Sequence, residues 1–206
     1  MNRLIIETST RQASLAFFAG SELLAEEIFP GGRGPVSPLF STLQRMLEDA
    51  PPLDEIIVGV GPGSYSGIRI GISAAIGLQL AWKIPARGIH SAMGYEGSDF
   101  QVILDARGSW VVSTIRDGKL TSAPTHHTRE QWLEKKDDDL PIFTPDNVLD
   151  LTPTFPRAAV IGKRLLDSKI SANLRLQPLY LKPPHITMAK DQVKTSRPNT
   201  PRALVD

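Results

Sequence analysis

The chain has 206 residues, a net charge of +1 and no cysteine. This length is enough for one large domain or two small lobes with a core. Acidic and basic residues are nearly equal in number and interspersed along the chain, so no strongly basic face for direct, sequence-specific binding of nucleic acid is expected. The lack of cysteine excludes disulfides and thiolate metal sites. No apolar run is long enough to span a membrane and no secretion signal is recognisable, so we expect a cytoplasmic protein.

The first ninety residues predict a mixed sheet that carries helices. Apolar runs separated by turn residues give strands at Leu4–Glu7, Ala13–Phe18, Leu23–Ile28, Ile56–Val60 and Pro85–Ile89. The first three strands are expected to form an antiparallel meander. One helix is predicted to begin at Ser37–Pro38, where Ser can cap it, and a second spans Ile68–Trp82. This order is typical of an α/β fold.

The pattern partly restarts after Ser91, which predicts a second, smaller lobe. Strands are expected at Gln101–Asp105, Trp110–Arg116, Lys119–Ser122, Ala158–Ile161 and Leu176–Leu181, with a helix at Arg129–Lys136. We therefore predict an N-terminal lobe over residues 1–92 and a reduced C-terminal lobe over residues 93–183. Residues 184–206 are rich in proline and polar residues, and a disordered tail is expected there.

The segment GVGPGSYSGIRIG (Gly59–Gly71) looks like a phosphate-binding loop between a strand and a helix. The glycine spacing at Gly61, Gly63 and Gly67 is one residue too long for a dinucleotide-binding turn, and the loop has no lysine for a mononucleotide site. A helix N-terminus can still bind an anion through its backbone N–H groups. A tight turn that leads the strand into the helix is the favoured interpretation.

The helix that follows the loop indicates a contact surface. Gly67, Gly71 and Ala75 recur at every fourth residue, and small side chains allow another helix to approach closely. The other positions are mostly apolar, and Arg69 is the single charge on the predicted helix. A helix that is apolar nearly all round is buried on more than one side. Its second side is predicted to contact a partner, although the second lobe could also cover it.

Four segments then carry a family resemblance: LIIETST, GVGPGSYSGIRIGISAAIGLQLA, LDARGSWVV and PLYLKPP. In this order they resemble the TsaB (YeaZ) family, over roughly Asn2–Pro183. The resemblance implies a two-lobed actin-like/ribonuclease H-like fold, with a mixed sheet and helices in each lobe. It also implies a noncatalytic partner of TsaD, the enzyme that transfers a threonylcarbamoyl group to adenosine 37 of tRNA.

In that family the two helices of the first lobe pack against the matching pair of TsaD, and the ATPase TsaE joins the complex. The isolated chain is also expected to be able to form a two-fold homodimer through these helices. The predicted partner interface consists of Phe40, Leu43, Leu47, Gly63, Ser64, Tyr65, Gly67, Arg69, Gly71, Ala75 and Leu78.

The residues that catalytic relatives use are replaced here. Active members of the superfamily have Asp and a glycine turn after the first strand, where this chain has Glu7 followed by Thr-Ser-Thr. Gly162 is the sole glycine that could mark an adenosine site in the second lobe. A degenerate, kinase-like enzyme remains the alternative, with a weak or partner-dependent ATP or ADP cleft formed by Glu7, Ser9 and Asp105.

A metallopeptidase is a further alternative, but it has little support in the sequence. His90, His126, His127 and His185 are not spaced one helical turn apart, so no metal site is predicted. Ser64 and Ser66 do not lie in a Gly-x-Ser-x-Gly motif, so no catalytic residue is predicted either. No cofactor is expected other than ATP or ADP bound weakly or only together with a partner.

Two segments depart from the family pattern. Val36-Ser37 stands where relatives often have His-Ser, which could alter the interface. The link Ser91–Phe100 is too short for the helix that relatives have between the lobes.

Overall fold

The computed structural model describes residues 1–31, 38–106, 108–167 and 170–179. Within these ranges the chain forms two five-stranded sheets, which we treat as the centres of two lobes. The first sheet has the order β3-β2-β1-β4-β5. Its strands are β1 (Asn2–Glu7), β2 (Gln12–Ala19), β3 (Glu22–Pro30), β4 (Glu55–Gly59) and β5 (Ala86–Ile89). The meander of β1 to β3 is antiparallel as predicted, whereas β4 and β5 run parallel to β1.

Two helices provide the crossovers that parallel strands require. The first, α1 (Leu39–Glu48), joins β3 to β4, and the second, α2 (Tyr65–Trp82), joins β4 to β5. Both helices pack on the same face of the first sheet, where Leu4 and Ile6 of β1 point. Ile5 points to the opposite face and into a second core. Because both faces are covered, β1 and β4 are continuous apolar runs.

The second sheet has the order β10-β6-β7-β8, and β9 also pairs with β7. Its strands are β6 (Phe100–Asp105), β7 (Trp110–Arg116), β8 (Lys119–Leu120), β9 (Thr125–His127) and β10 (Ile142–Phe143). Helix α3 (Arg129–Lys135) begins at a capping box formed by Thr128 and Gln131. The sequence prediction missed β9 and β10 because runs of two or three residues carry no periodicity.

The predicted strand at Ala158–Ile161 is wrong, because this segment begins helix α4 (Ala158–Leu166). The first five residues of the helix are all buried, so they show no alternation of polar and apolar positions. Gly162 permits the packing: a Cβ atom at this position would overlap the aromatic ring of Phe18. Gly162 therefore lies in a helix–sheet contact, not in an adenosine-binding turn.

Helix α4 connects the two lobes. It packs on the face of the first sheet that α1 and α2 leave free, and it shares a core with Phe100 of the second sheet. The Ala158 N–H donates to Ser14 Oγ at 2.8 Å, which satisfies one of the free groups at the helix N-terminus. Arg157 forms an ion pair with Glu26. The predicted C-terminal lobe, residues 93–183, thus returns to the first lobe through α4.

The C-terminal part of the described chain also lies on the first sheet. Leu174 forms an isolated bridge with Gly88, and the N–H of Leu179 donates to the carbonyl of Val60 at 2.9 Å. No strand forms at residues 176–179, contrary to the prediction of one at Leu176–Leu181, and the remainder of that segment lies outside the described residues. The predicted tail, 184–206, lies outside them too, as do His185 and the Val36-Ser37 pair.

Other boundaries differ by a few residues. Helix α1 begins at Leu39 with Pro38 as its N-cap, and Ser37 lies outside the described residues. Helix α2 begins at Tyr65, three residues earlier than predicted. The link between the lobes contains a short 3-10 helix at Ser91–Gly94. None of the helices in the described ranges is long and apolar enough to cross a bilayer.

Candidate functional site

The protein's own groups occupy several hydrogen-bond donors of the glycine loop. The Gly61 N–H donates to Ser91 Oγ at 3.1 Å, and the Ser64 N–H donates to the carbonyl of Ser9 at 2.6 Å. At the start of α2, Ser64 Oγ accepts from the Gly67 N–H at 3.3 Å. Gly61 has φ of +102°, which requires glycine. These contacts support a tight turn that leads β4 into α2, because these donors are not free to bind an anion.

The small-residue stripe of α2 faces the protein's own sheet. The Thr8 hydroxyl, just after β1, donates to the carbonyl of Gly67 at 2.8 Å. A Cβ atom at Gly67 would overlap the carbonyl oxygen of Thr8, and one at Gly71 would overlap its hydroxyl. Ala75 is fully buried in the same layer. The prediction that this stripe contacts a partner is therefore wrong, because the small residues let α2 approach β1.

The opposite side of α2 is exposed and largely apolar. Four of its residues lie within an arc of about 60° on the helix surface, and we call them the outer face of α2: Tyr65, Arg69, Ile76 and Leu80. Leu80 has an exposed fraction of 73%. The Arg69 guanidinium lies 4.0 Å from the centroid of the Tyr65 ring, so the only cation of the face covers an aromatic neighbour.

The other predicted interface residues divide by exposure. Phe40 on α1 is 59% exposed, and Gly63 is exposed in the loop. Leu43 lies on the side of α1 that is buried in the core against the first sheet. Half-buried positions are Ser64, Leu47 and Leu78. The sequence prediction missed Ile76 and Leu80, although their spacing of seven and eleven residues from Arg69 continues one helical face.

The predicted nucleotide residues do not line one cavity. Glu7 is fully buried at the end of β1, where its Oε1 accepts from the Ser9 N–H at 2.7 Å. Burial raises the pKa of the Glu7 carboxyl, and nearby groups of Ser9 and Ser91 partly offset that rise. Asp105 is exposed at the end of β6, and its N–H donates to Asp146 Oδ2 at 2.8 Å.

A small cavity lies between the two lobes, and we call it the interlobe cavity. Its volume is about 10 Å³, which matches about one water molecule. The polar residues in its wall include Ser9, Ser91, Tyr95 and Ser113. A nucleotide would fit there only if the lobes moved apart.

The three described histidines lie in two places, with His90 after β5 of the first sheet and His126 and His127 on β9 of the second. His90 is buried after β5, and its Nδ1 accepts from the Ala92 N–H at 3.2 Å. Burial lowers the pKa of His90 to about 4, so the ring is neutral near pH 7. His126 and His127 lie on β9, and each is only half-buried. In the described ranges no three or more His, Asp or Glu side chains are grouped so that they could hold a metal ion.

Glu7→Gln tests the burial of the carboxyl. Because the pKa of Glu7 is higher in the folded chain than in the unfolded chain, its ionisation opposes folding. The wild type should lose stability relative to Glu7→Gln as the pH rises from the unfolded pKa through the folded one. Urea unfolding of both proteins between about pH 4 and pH 8 measures this difference. A difference that stays constant with pH would show that the carboxyl is not desolvated.

His90→Asn tests how the folding stability depends on pH on the acidic side. The folded chain disfavours protonation of His90, so the wild type should lose stability as the pH falls from 6.5 towards 4. The expected loss at pH 5 is about 2 kcal/mol. Asn can still accept from the Ala92 N–H but does not titrate, so the variant should lack this loss. If the free energy of unfolding fell equally in both proteins as the pH was lowered, this would contradict a lowered pKa for the buried His90.

Comparison with known proteins adds sequence relatives. A family model described as "TsaD: tRNA N6-adenosine threonylcarbamoyltransferase" matches residues 40–114, which contain the glycine loop, α2 and all of α1 except Leu39. The chain is 29% identical over 159 residues to the tRNA threonylcarbamoyladenosine biosynthesis protein TsaB of Bacillus subtilis, covering 69% of each chain. It is 32% identical over 133 residues to an uncharacterized protein of Mycobacterium leprae. That match covers 59% of this chain and only 37% of the longer relative.

Solved structures confirm the predicted fold. YeaZ from Pseudomonas aeruginosa superposes with a TM-score of 0.62 at 17% identity, covering 87% of this chain and all of YeaZ. A crystal structure of an uncharacterized protein with similarity to peptidase YeaZ, also from Pseudomonas aeruginosa, gives a TM-score of 0.64 at 19% identity. That match covers 88% of this chain and 99% of the other. The chain has the actin-like/ribonuclease H-like fold. Its four sequence motifs and its similarity to TsaB of Bacillus subtilis make the TsaB (YeaZ) family the one that this chain resembles.

Proposed function

We propose that this chain acts in the biosynthesis of threonylcarbamoyladenosine in tRNA, as a noncatalytic partner that holds TsaD in its active conformation. The name of the Bacillus subtilis relative and the matching TsaD family model support the pathway. A partner of this kind raises the rate by stabilising one conformation of the enzyme, without reacting groups of its own.

The outer face of α2 is the observation that carries this proposal. Monomeric proteins rarely expose a row of large apolar side chains, and such rows mark contact surfaces. Burial of Leu80 against a partner would contribute up to about 1.5–3 kcal/mol, and Ile76, which has an exposed fraction of 38%, would contribute less. Phe40 of α1, a helix that packs on the same face of the first sheet, is a further exposed apolar side chain.

The proposed occupant of this surface is the corresponding helix layer of TsaD. TsaE is proposed to join the complex, and a homodimer through the same face is proposed for the isolated chain. The proposed interface therefore keeps five residues predicted from the sequence: Phe40, Gly63, Ser64, Tyr65 and Arg69. Ile76 and Leu80 are added to them. Leu47 and Leu78 are half-buried and pack against the core between the two helices and the first sheet.

The site between the lobes supports a noncatalytic role. The Glu7 carboxylate is enclosed and accepts a backbone hydrogen bond, so it is not placed to hold a metal–phosphate group. The interlobe cavity is far smaller than a nucleotide. The alternative of a degenerate kinase-like enzyme would need the cleft to open and expose Glu7 and Ser9.

Light scattering after gel filtration tests the proposal. This chain, mixed with TsaD from the same organism, should elute as a heterodimer whose mass is the sum of the two chains. Calorimetry with Mg-ATP should show no binding to the isolated chain. If the chain elutes unchanged even when TsaE and ATP are present, the proposed partnership is wrong. Binding of ATP that Glu7→Gln abolishes would favour the kinase-like alternative.

A further inference from the structure

Two buried hydroxyls, one from each lobe, line the interlobe cavity and have no hydrogen-bond partner among the described residues. Ser9 lies in the turn after β1, and Ser113 lies in β7 of the second sheet. Each residue is only 1% exposed, and neither Oγ atom has a hydrogen-bond partner among the described residues. The Ser9 hydroxyl is close enough to Glu7 to influence its pKa, but no hydrogen bond of normal geometry joins the two side chains. Both serines line the interlobe cavity.

Leaving these hydroxyls unsatisfied would be costly. A buried polar group without a partner costs about 1–3 kcal/mol, and native proteins rarely contain one. The cavity of about 10 Å³ has the size of one water molecule. Its wall also contains Ser91, whose Oγ accepts from the Gly61 N–H and whose hydroxyl lowers the pKa of the Glu7 carboxyl by a side-chain hydrogen bond, so that Ser91 can offer the water an acceptor lone pair. A water needs two to four polar partners, and this wall supplies three hydroxyls.

We propose that the interlobe cavity is a binding site for a single structural water, which bridges Ser9 of the first lobe and Ser113 of the second. A water molecule has two donors and two acceptors, so it can satisfy both hydroxyls at once. It would hold the turn after β1, the glycine loop and β7 together. This inference stands independently of the proposed function, because it concerns the closed state of the isolated chain.

A crystal structure of the full chain at high resolution tests the site directly. One ordered water is expected within hydrogen-bonding distance of both Ser9 Oγ and Ser113 Oγ. An empty cavity, or a water bonded to neither serine, would overturn the proposal. This test needs no variant, so it stands even if a substitution prevents folding.

Oxygen-17 magnetic relaxation dispersion counts long-lived waters in solution. Ser113→Val removes one hydroxyl and fills the cavity with a methyl group, so it should lose one long-lived water. Thr114→Val is the matched control, because it removes a hydroxyl from the next residue of β7, which does not line the cavity. The control should keep the wild-type number. Equal numbers in the wild type and Ser113→Val would overturn the proposal.

Discussion

The double variant Ile76→Asp, Leu80→Asp should bind TsaD at least about 100-fold more weakly than the wild type. Each substitution removes apolar area from the proposed contact and places a carboxylate where it must be desolvated or leave a gap. Both side chains are at least partly exposed in the isolated chain, so the variant should stay folded, at a cost of about 1–2 kcal/mol because Asp is a weak helix former and its charge is unfavourable in the last turn of α2. Titration calorimetry with TsaD from the same organism measures the loss.

The matched control for this variant is Leu133→Asp on α3. Leu133 is an exposed leucine on a helix of the other lobe, with an exposed fraction of 44%. The Leu133→Asp variant should bind TsaD as tightly as the wild type. If the control weakened binding as much as the double variant, the effect would be general and not located on α2. Full affinity in the double variant would show that the outer face of α2 is not the contact surface.

Gly67→Ala is the second change with a large expected effect, and it should destabilise the chain by about 3 kcal/mol. The added methyl would overlap the carbonyl oxygen of Thr8, a backbone atom that cannot rotate away. Helix α2 would then have to move off β1 and break the 2.8 Å hydrogen bond between Thr8 Oγ1 and the Gly67 carbonyl. The free energy of unfolding in urea measures the cost.

Gly77→Ala on the same helix is the control. A Cβ atom at Gly77 meets nothing within 4 Å, and alanine is the better helix former. This variant should therefore gain about 0.5–1 kcal/mol. Equal stability of the two variants would contradict the assignment of Gly67 to the contact with the sheet, and the small-residue stripe would again be available to a partner.

Most of the first sheet could be predicted from the sequence. Its strands are apolar runs bounded by turn residues. In the second sheet, the Asp117-Gly118 turn fixes the hairpin of β7 and β8. Helix α4 could not be predicted, since a short segment buried on all sides has the same composition as a buried strand. Its identity depends on long-range contacts, such as that of Gly162 with Phe18, which local sequence does not contain.

The candidate surface was only partly predictable for a related reason. Spacing shows which residues of a helix share a face, but not what covers that face. The spacing identifies the stripe of Gly67, Gly71 and Ala75 but not its neighbour, because a close approach to a sheet needs the same small residues as a close approach to a helix. The position of Thr8 against that stripe becomes visible only once β1 and α2 are packed.

The rate of threonylcarbamoyladenosine formation by TsaD, measured with this chain and two of its variants, tests the central proposal most directly. The wild type and Glu7→Gln should raise the rate equally, whereas Ile76→Asp, Leu80→Asp should leave TsaD at its rate without a partner. Full stimulation by the double variant, together with loss of stimulation in Glu7→Gln, would contradict the proposal and place the function in the cleft between the lobes.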